Sequence, residues 1–216
     1  MRRTIRFIVM GVMSGCTIGM STIGSGAIIP APSGFSATSE FGGPFVPASL
    51  FDATVSDADV GVTVYGVSDN QWAGVGPGPH QVYMDFGTPV TANGLAYAQR
   101  AGAIGGNNDK VGKIELWFSN SDFGGTLPAT APDAVVTPSV PSPNTGLLLG
   151  YSLGGLQSGR YVAASFTALD GTIPPNVNNI GGSELRLTIP EPGSLLMILL
   201  GSIIGRAVIR LNRPAR

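Results

Sequence analysis

The chain has 216 residues, of which 43% are hydrophobic and only 12% charged, with 32 glycines and 17 prolines. Long soluble helices draw on Glu, Lys, Arg and Ala, so this mix excludes a helical bundle and favours short strands joined by turns. The formal charge of −1 hides an asymmetry: residues 28–194 carry five basic side chains against thirteen acids, a net of −8. A nucleic-acid binder needs a basic stripe on its folded part, and that class is excluded.

Residues 1–27 read as a secretory signal peptide. Arg2, Arg3 and Arg6 form a positive start, the run from Phe7 is apolar, and Ser25-Gly26-Ala27 offers a small-residue cleavage site. Met13-Ser14-Gly15-Cys16 loosely resembles a lipobox, which leaves an acylated Cys16 as a competing reading. Cleavage after Ala27 removes the single cysteine, so the exported protein would rest on a hydrophobic core without disulfides. Residues 28–47 are a Gly/Pro/Ser-rich leader that can add an edge strand before a domain spanning 48–188.

Strand character recurs at 60–67, 80–87, 92–100, 111–119, 146–153, 159–169 and 183–189. In the second of these Val82, Met84 and Phe86 share one face; in the fourth Ile114, Leu116 and Phe118 oppose Lys113, Glu115 and Trp117. That period of two marks half-buried strands. Gly/Pro/Asn clusters at 76–79, 105–109, 141–144 and 174–176 separate them, and the Pro/Thr/Ala-rich stretch 128–145 reads as a long surface loop. Seven or eight strands without an amphipathic helix between them predict an all-β sandwich.

The tail, residues 189–216, is different in kind. Leu195 to Gly205 is eleven uncharged residues, ~16 Å as a helix, too short for a hydrocarbon layer of ~30 Å. With Arg206 and Arg210 snorkelling, the segment to Leu211 reaches seventeen residues and ~25 Å, a marginal transmembrane helix with its basic end on the cytoplasmic side. Pro190 and Pro192 make a stiff extended break before it.

Six segments in order resemble the discoidin-like, coagulation-factor type C domains, which are galactose-binding-like jelly rolls common among carbohydrate-binding modules. They are SLFDA (49–53), NQWAG (70–74), PHQVYMDFGTPVTANGLAYAQR (79–100), GKIELWFSNSD (112–122), GRYVAASF (159–166) and GGSELRL (181–187). The resemblance covers nearly all of the 48–188 domain and implies a jelly-roll β-sandwich with a carbohydrate-binding role. It also implies a structural calcium ion tying the first loop to the last strand, held by Asp52 and Glu184 with Asp57, Asp59 and Asp69 in reach. The competing reading of those acids is solvated turn residues. Two departures fall on that loop: the family's Asp-Gly is Asp52-Ala53 here, and residues 55–69 lengthen the path to Trp72. Trp72 matches a core tryptophan of the family, while Arg100 and Trp117 are the candidate ligand contacts and Arg160 reads as structural.

Catalysis finds little support. His80 is the single histidine and no Gly-x-Ser-x-Gly elbow accompanies it, so a Ser-His-Asp triad and a zinc centre lack their parts. A glycoside-hydrolase carboxylate pair is not singled out among thirteen acids.

Pro190-Glu191-Pro192, the short apolar helix and the terminal arginines resemble the PEP-CTERM sorting signal of Gram-negative and related bacteria. That resemblance implies a precursor held in the membrane, processed by signal peptidase and an exosortase, and delivered to the envelope, surface or extracellular matrix. The reading that follows is a non-enzymatic, exported protein that binds exopolysaccharide. A structural matrix protein with no sugar site is the alternative, and a secreted glycoside hydrolase a remote one.

Overall fold

A computed structural model describes residues 27–43, 45–66, 71–75, 78–100, 110–139, 146–169 and 179–189. The signal peptide with Cys16, the candidate ligand Asp69 and the tail with Pro190, Glu191 and Pro192 lie outside the described residues. Eight strands follow in chain order: β1 (Gly34–Ala37), β2 (Val64–Tyr65), β3 (Trp72–Ala73), β4 (His80–Gln99), β5 (Val111–Ser119), β6 (Ala134–Val136), β7 (Gly146–Ala168) and β8 (Gly181–Thr188). Among the described residues the helical turns are two short 3₁₀ turns, Pro47–Leu50 and Asp57–Asp59, and no helix is long and apolar enough to cross a membrane.

All pairings are antiparallel, in the order β3-β8-β4-β7-β5-β6, with β1 added to β4 and β2 to β7. β4 and β7 are so long that each serves two layers. Residues 80–85 of β4 pair with β1 and with 161–166 of β7, whose other side takes β5. Residues 94–98 of β4 pair with β8 and with 148–152 of β7, whose first residues take β2. The ladder shifts between Asp85 and Val90 and again between Ala92 and Gly94, where the ribbon turns from one layer to the other. Gly87, at φ 76°, supplies the backbone for that bend, and Pro89, with no N–H to donate, falls in the gap of the ladder.

The two layers close on one core. Val82 and Met84 of β4, Ile114 and Leu116 of β5, and Val162, Ala164 and Phe166 of β7 face Leu95, Tyr97, Leu185, Leu187 and Trp72. Trp72 and Tyr97 both reach across to Phe166, with ring centroids 5.1 and 6.1 Å away. Trp72 and Tyr97 are fully buried, and their polar ends are satisfied: the indole donates to the Ser39 carbonyl at 3.2 Å and the phenol to the Gly181 carbonyl at 2.7 Å.

Several sequence expectations change. The segments 80–87 and 92–100 are one bent strand, as are 146–153 and 159–169, because Gly87 and Pro89 in the first and Gly154 and Gly155 in the second bend the ladder without ending it. The expected strand 60–67 shrinks to two residues after the 3₁₀ turn. The expected surface loop 128–145 contributes β6, since Ala134 and Val136 cover the core and pair with β5. The leader does add an edge strand, β1.

Candidate functional site

Two places gather chemistry-bearing side chains, one on the outer face of each layer. On β8 the inward residues are Leu185 and Leu187, so Glu184 and Arg186 point outward beside Ala96, Ala98 and Leu148. They do not meet solvent. Residues 54–65 fold over them, with Val55, Val60 and Tyr65 packed on that face, and Glu184 and Arg186 are 0% and 5% exposed. The cover is tied down locally. The Asp59 carboxylate accepts from the Ser56 amide and hydroxyl, both at 2.7 Å, and from the Thr63 hydroxyl at 2.9 Å, which holds its pKa below the ordinary value. Asp57 accepts the Ile28 amide at 2.6 Å.

Inside this cover the Arg186 guanidinium donates to the carbonyls of Phe51 and Ala53 at 2.9 and 2.8 Å, with a longer 3.5 Å contact to Leu50. It also lies 5.8 Å from the Phe51 ring centroid. Its Nη1 is 2.9 Å from Glu184 Oε1, a close contact without an aligned hydrogen bond, while Glu184 Oε2 accepts from the Tyr65 hydroxyl at 3.3 Å. Burial pushes the Glu184 carboxyl up to about 8, with the nearby Asp52 charge adding to the push, against the downward pull of Arg186 and Tyr65. Burial and the adjoining Glu184 likewise raise the Tyr65 phenol.

Asp52 and Glu184 are the residues the sequence nominated for calcium, and the donor set can be tested against that ion. Calcium takes six to eight oxygens, with carboxylates prominent among them. Here the backbone carbonyls that converge from the first loop already accept from a guanidinium, and the buried carboxyl of Glu184 contacts the same group. A divalent ion would have to sit against a fixed positive charge. No group of three or more His, Cys, Asp or Glu side chains comes together among the described residues. Among the described residues, Asp52 and Glu184 do not fit the ion.

The second place is the outer face of the other layer. Residues opposite in phase to Val82 and Met84 come outward here: Tyr83 and Asp85 of β4, Trp117 of β5, and Ala163 and Tyr161 of β7 stand in register. The loop after β5 folds back over them, placing Phe123 6.3 Å from Tyr83 and packing it with Leu127 against Trp117. Two hollows lie either side of Phe123. One, of about 220 Å³, is lined by Tyr83, Asp85, Asp122, Phe123 and Tyr161. The other, of about 280 Å³, is lined by Trp117, Ser121, Asp122, Phe123, Thr130 and Asp133. Asp85 is locked by Arg160 through two contacts of 2.8 and 2.9 Å, and by the Gly87 amide at 2.7 Å; these hydrogen bonds hold its pKa below the ordinary value. Arg160 in turn stacks over Tyr161 at 4.8 Å.

The structure separates the nominated ligand residues. Trp117 lies in the second hollow, on the outward face shared with Lys113 and Glu115, with its indole donating to the Thr130 carbonyl at 3.1 Å. Arg100 is elsewhere and is engaged within the fold: it donates to Gln71 at 3.1 Å and to the Asn179 carbonyl at 2.5 Å, and lies over the Phe45 ring. Arg160 is paired with Asp85, which borders the groove. Tyr83, Tyr161 and Asp122 were not nominated; the alternation of β4 and the Ser-x-Asp after β5 were the available signals. Arg186 was missed as well, although it stands two residues from Glu184 on the same strand face.

The arrangement is an antiparallel, all-β jelly-roll sandwich with an aromatic and acidic groove on one face. No family model matches the chain, and no curated protein sequence matches it. Solved structures do resemble it, all at low identity. Two family 32 carbohydrate-binding modules of ZmpB from Clostridium perfringens give a TM-score of 0.52 at 8% identity, over 76% of this chain and 37% of that one. A chitosan-binding module of a chitosanase/glucanase from Paenibacillus sp. IK-5 gives 0.49 at 15% identity, over 76% and 98%. The family 32 module of NanJ from Clostridium perfringens, solved with galactose, gives 0.46 at 16%, over 71% and 91%. What the likeness establishes is the fold.

Proposed function

We propose that this chain is an exported, non-catalytic carbohydrate-binding protein and that its sugar site is the groove around Phe123. The observation that carries the reading is the pairing of hollows across one aromatic side chain, each with carboxylate or hydroxyl groups at its rim. A pyranose presents an apolar face that stacks on an aromatic ring and an equatorial belt of hydroxyls that donate to carboxylates. Phe123 supplies the ring; Asp122 borders both hollows and supplies an acceptor to each. Two adjoining hollows suit two sugar units of a polymer better than a single monosaccharide. With Asp122 and Asp133 at the rim, and the charge of Asp85 offset by Arg160, the groove favours neutral or amino sugars over acidic ones. The likeness in fold to sugar-binding modules agrees with this reading, while the side chains of the groove are its basis.

The sorting part of the proposal rests on sequence. Pro190, Glu191 and Pro192, the apolar run after them and the arginine end resemble an exosortase substrate, which supports a location at the cell surface or in an exopolysaccharide matrix. The test is a glycan array probed with the purified full-length chain, carrying neutral, amino and acidic oligosaccharides beside the native matrix polysaccharide. Retention on neutral or amino glycans is expected. Binding to none of them sinks the reading and leaves a packing role for the sandwich. Turnover of a bound glycan would move the protein to the hydrolases.

A further inference from the structure

We propose that Arg186 is a built-in cation that takes the place of a metal ion between the first loop and the last strand, so that the sandwich is closed without calcium. The chemistry of the place is that of a cation site: backbone carbonyls of Phe51 and Ala53 converge on one point, a third from Leu50 lies just beyond, and a buried carboxyl of Glu184 stands beside them. The occupant is a guanidinium borne by β8 itself. Its Nη2 donates to both Phe51 and Ala53 while Nη1 faces Leu50 and Glu184, so the planar fork holds two sets of oxygens on two nitrogens at a fixed angle, where an ammonium has a single nitrogen.

The two departures in the first loop now acquire a reason. Asp52-Ala53 replaces Asp-Gly in a loop whose carbonyls turn to Arg186, and no non-glycine residue here needs a positive φ. The lengthened stretch 54–65 then covers the pair, contributing the Tyr65 hydroxyl to Glu184 and burying Arg186 to 5% exposure. A charge buried to that degree has to be well partnered, and a metal ion would compete with it for the same oxygens. A hollow of about 370 Å³ lies beside it, bordered by Asp52, Thr54 and Arg186.

Thermal unfolding of the purified full-length chain, followed by tryptophan fluorescence, tests this. Midpoints are compared in chelator and in about 1 mM calcium, a concentration that fills the calcium sites of extracellular modules. The expected result is midpoints within about 1 °C of each other, since a cation that does not bind the native state cannot stabilise it. Arg186→Met, which keeps the stem and removes the fork, is expected to lower the midpoint by about 10 °C or to prevent folding. Arg186→Lys, which keeps the charge and loses the fork, is expected to fall between the two. A wild-type midpoint that drops on chelation overturns the proposal, as does an Arg186→Lys protein indistinguishable from wild type.

Discussion

Burial and a neighbouring guanidinium pull the Glu184 carboxyl in opposite directions, and burial wins, lifting it from 4.5 to about 8. The folded chain therefore holds a proton there that the unfolded chain has released, throughout the interval between those values. Stability from this group is fully present below about 4.5 and declines as pH rises toward about 8. The charged groups around it are Arg186, Tyr65 and Asp52; Asp59 and Asp85, both shifted downward, change stability only at lower pH. Glu184→Gln is expected to flatten the fall in unfolding midpoint between weakly acidic and weakly alkaline buffers, measured by pH-dependent thermal unfolding. A slope identical to wild type would remove Glu184 from the account. Tyr97 gives a second check: Tyr97→Phe leaves the Gly181 carbonyl without its 2.7 Å donor, at a cost of about 1–3 kcal/mol by chemical denaturation. Residues of this kind show the limit of sequence. Asp52 and Glu184 could be nominated from the two ends of the domain, but nothing between them revealed that Arg186 would turn to the same carbonyls.

The strands themselves were largely legible, because each core-facing residue in β4, β5 and β7 alternates with an outward one. β5 (Val111–Ser119) matches the expected segment at both ends. What alternation could not reveal is continuity: Gly87, Pro89 and Gly154 are turn residues by chemistry, yet here they bend strands that keep pairing on either side. β6 was missed for a related reason. Its three residues lie among prolines and threonines, and their pairing with β5 is a tertiary contact with no local signature. The close approach of β7 to β5 offers a test at this scale. A side chain at Gly159 would meet the backbone of Ser119. Gly159→Val is therefore expected to cost about 1–3 kcal/mol, read as a lower denaturant midpoint with unchanged slope. A neutral result would mean that the two strands lie farther apart at this point.

Taken whole, the sandwich is asymmetric. On one outer face the inserted stretch covers Arg186 and Glu184, and the other carries the open groove around Phe123. The fold was readable from the order of its segments, whereas the groove was only half readable. Trp117 was nominated from its outward phase, but Phe123, Tyr83 and Tyr161 meet only once the loop after β5 folds back. At the same scale, intact-mass analysis of the surface-exposed protein tests the sorting tail. Loss of residues 1–27, together with a C-terminus upstream of Arg216, is expected; a mature chain still ending at Arg216 contradicts processing by an exosortase.

The groove is where the account stands or falls. The most direct measurement is affinity electrophoresis of wild type and Phe123→Ala through gels carrying the glycan retained on the array, with thermal unfolding of both proteins alongside. Phe123 is half-buried on the outer face and not in the core between the layers, so the variant should still fold with a lower unfolding midpoint, while its affinity falls by about tenfold or more. Equal retardation of the two proteins, with both folded, would contradict a sugar site at Phe123.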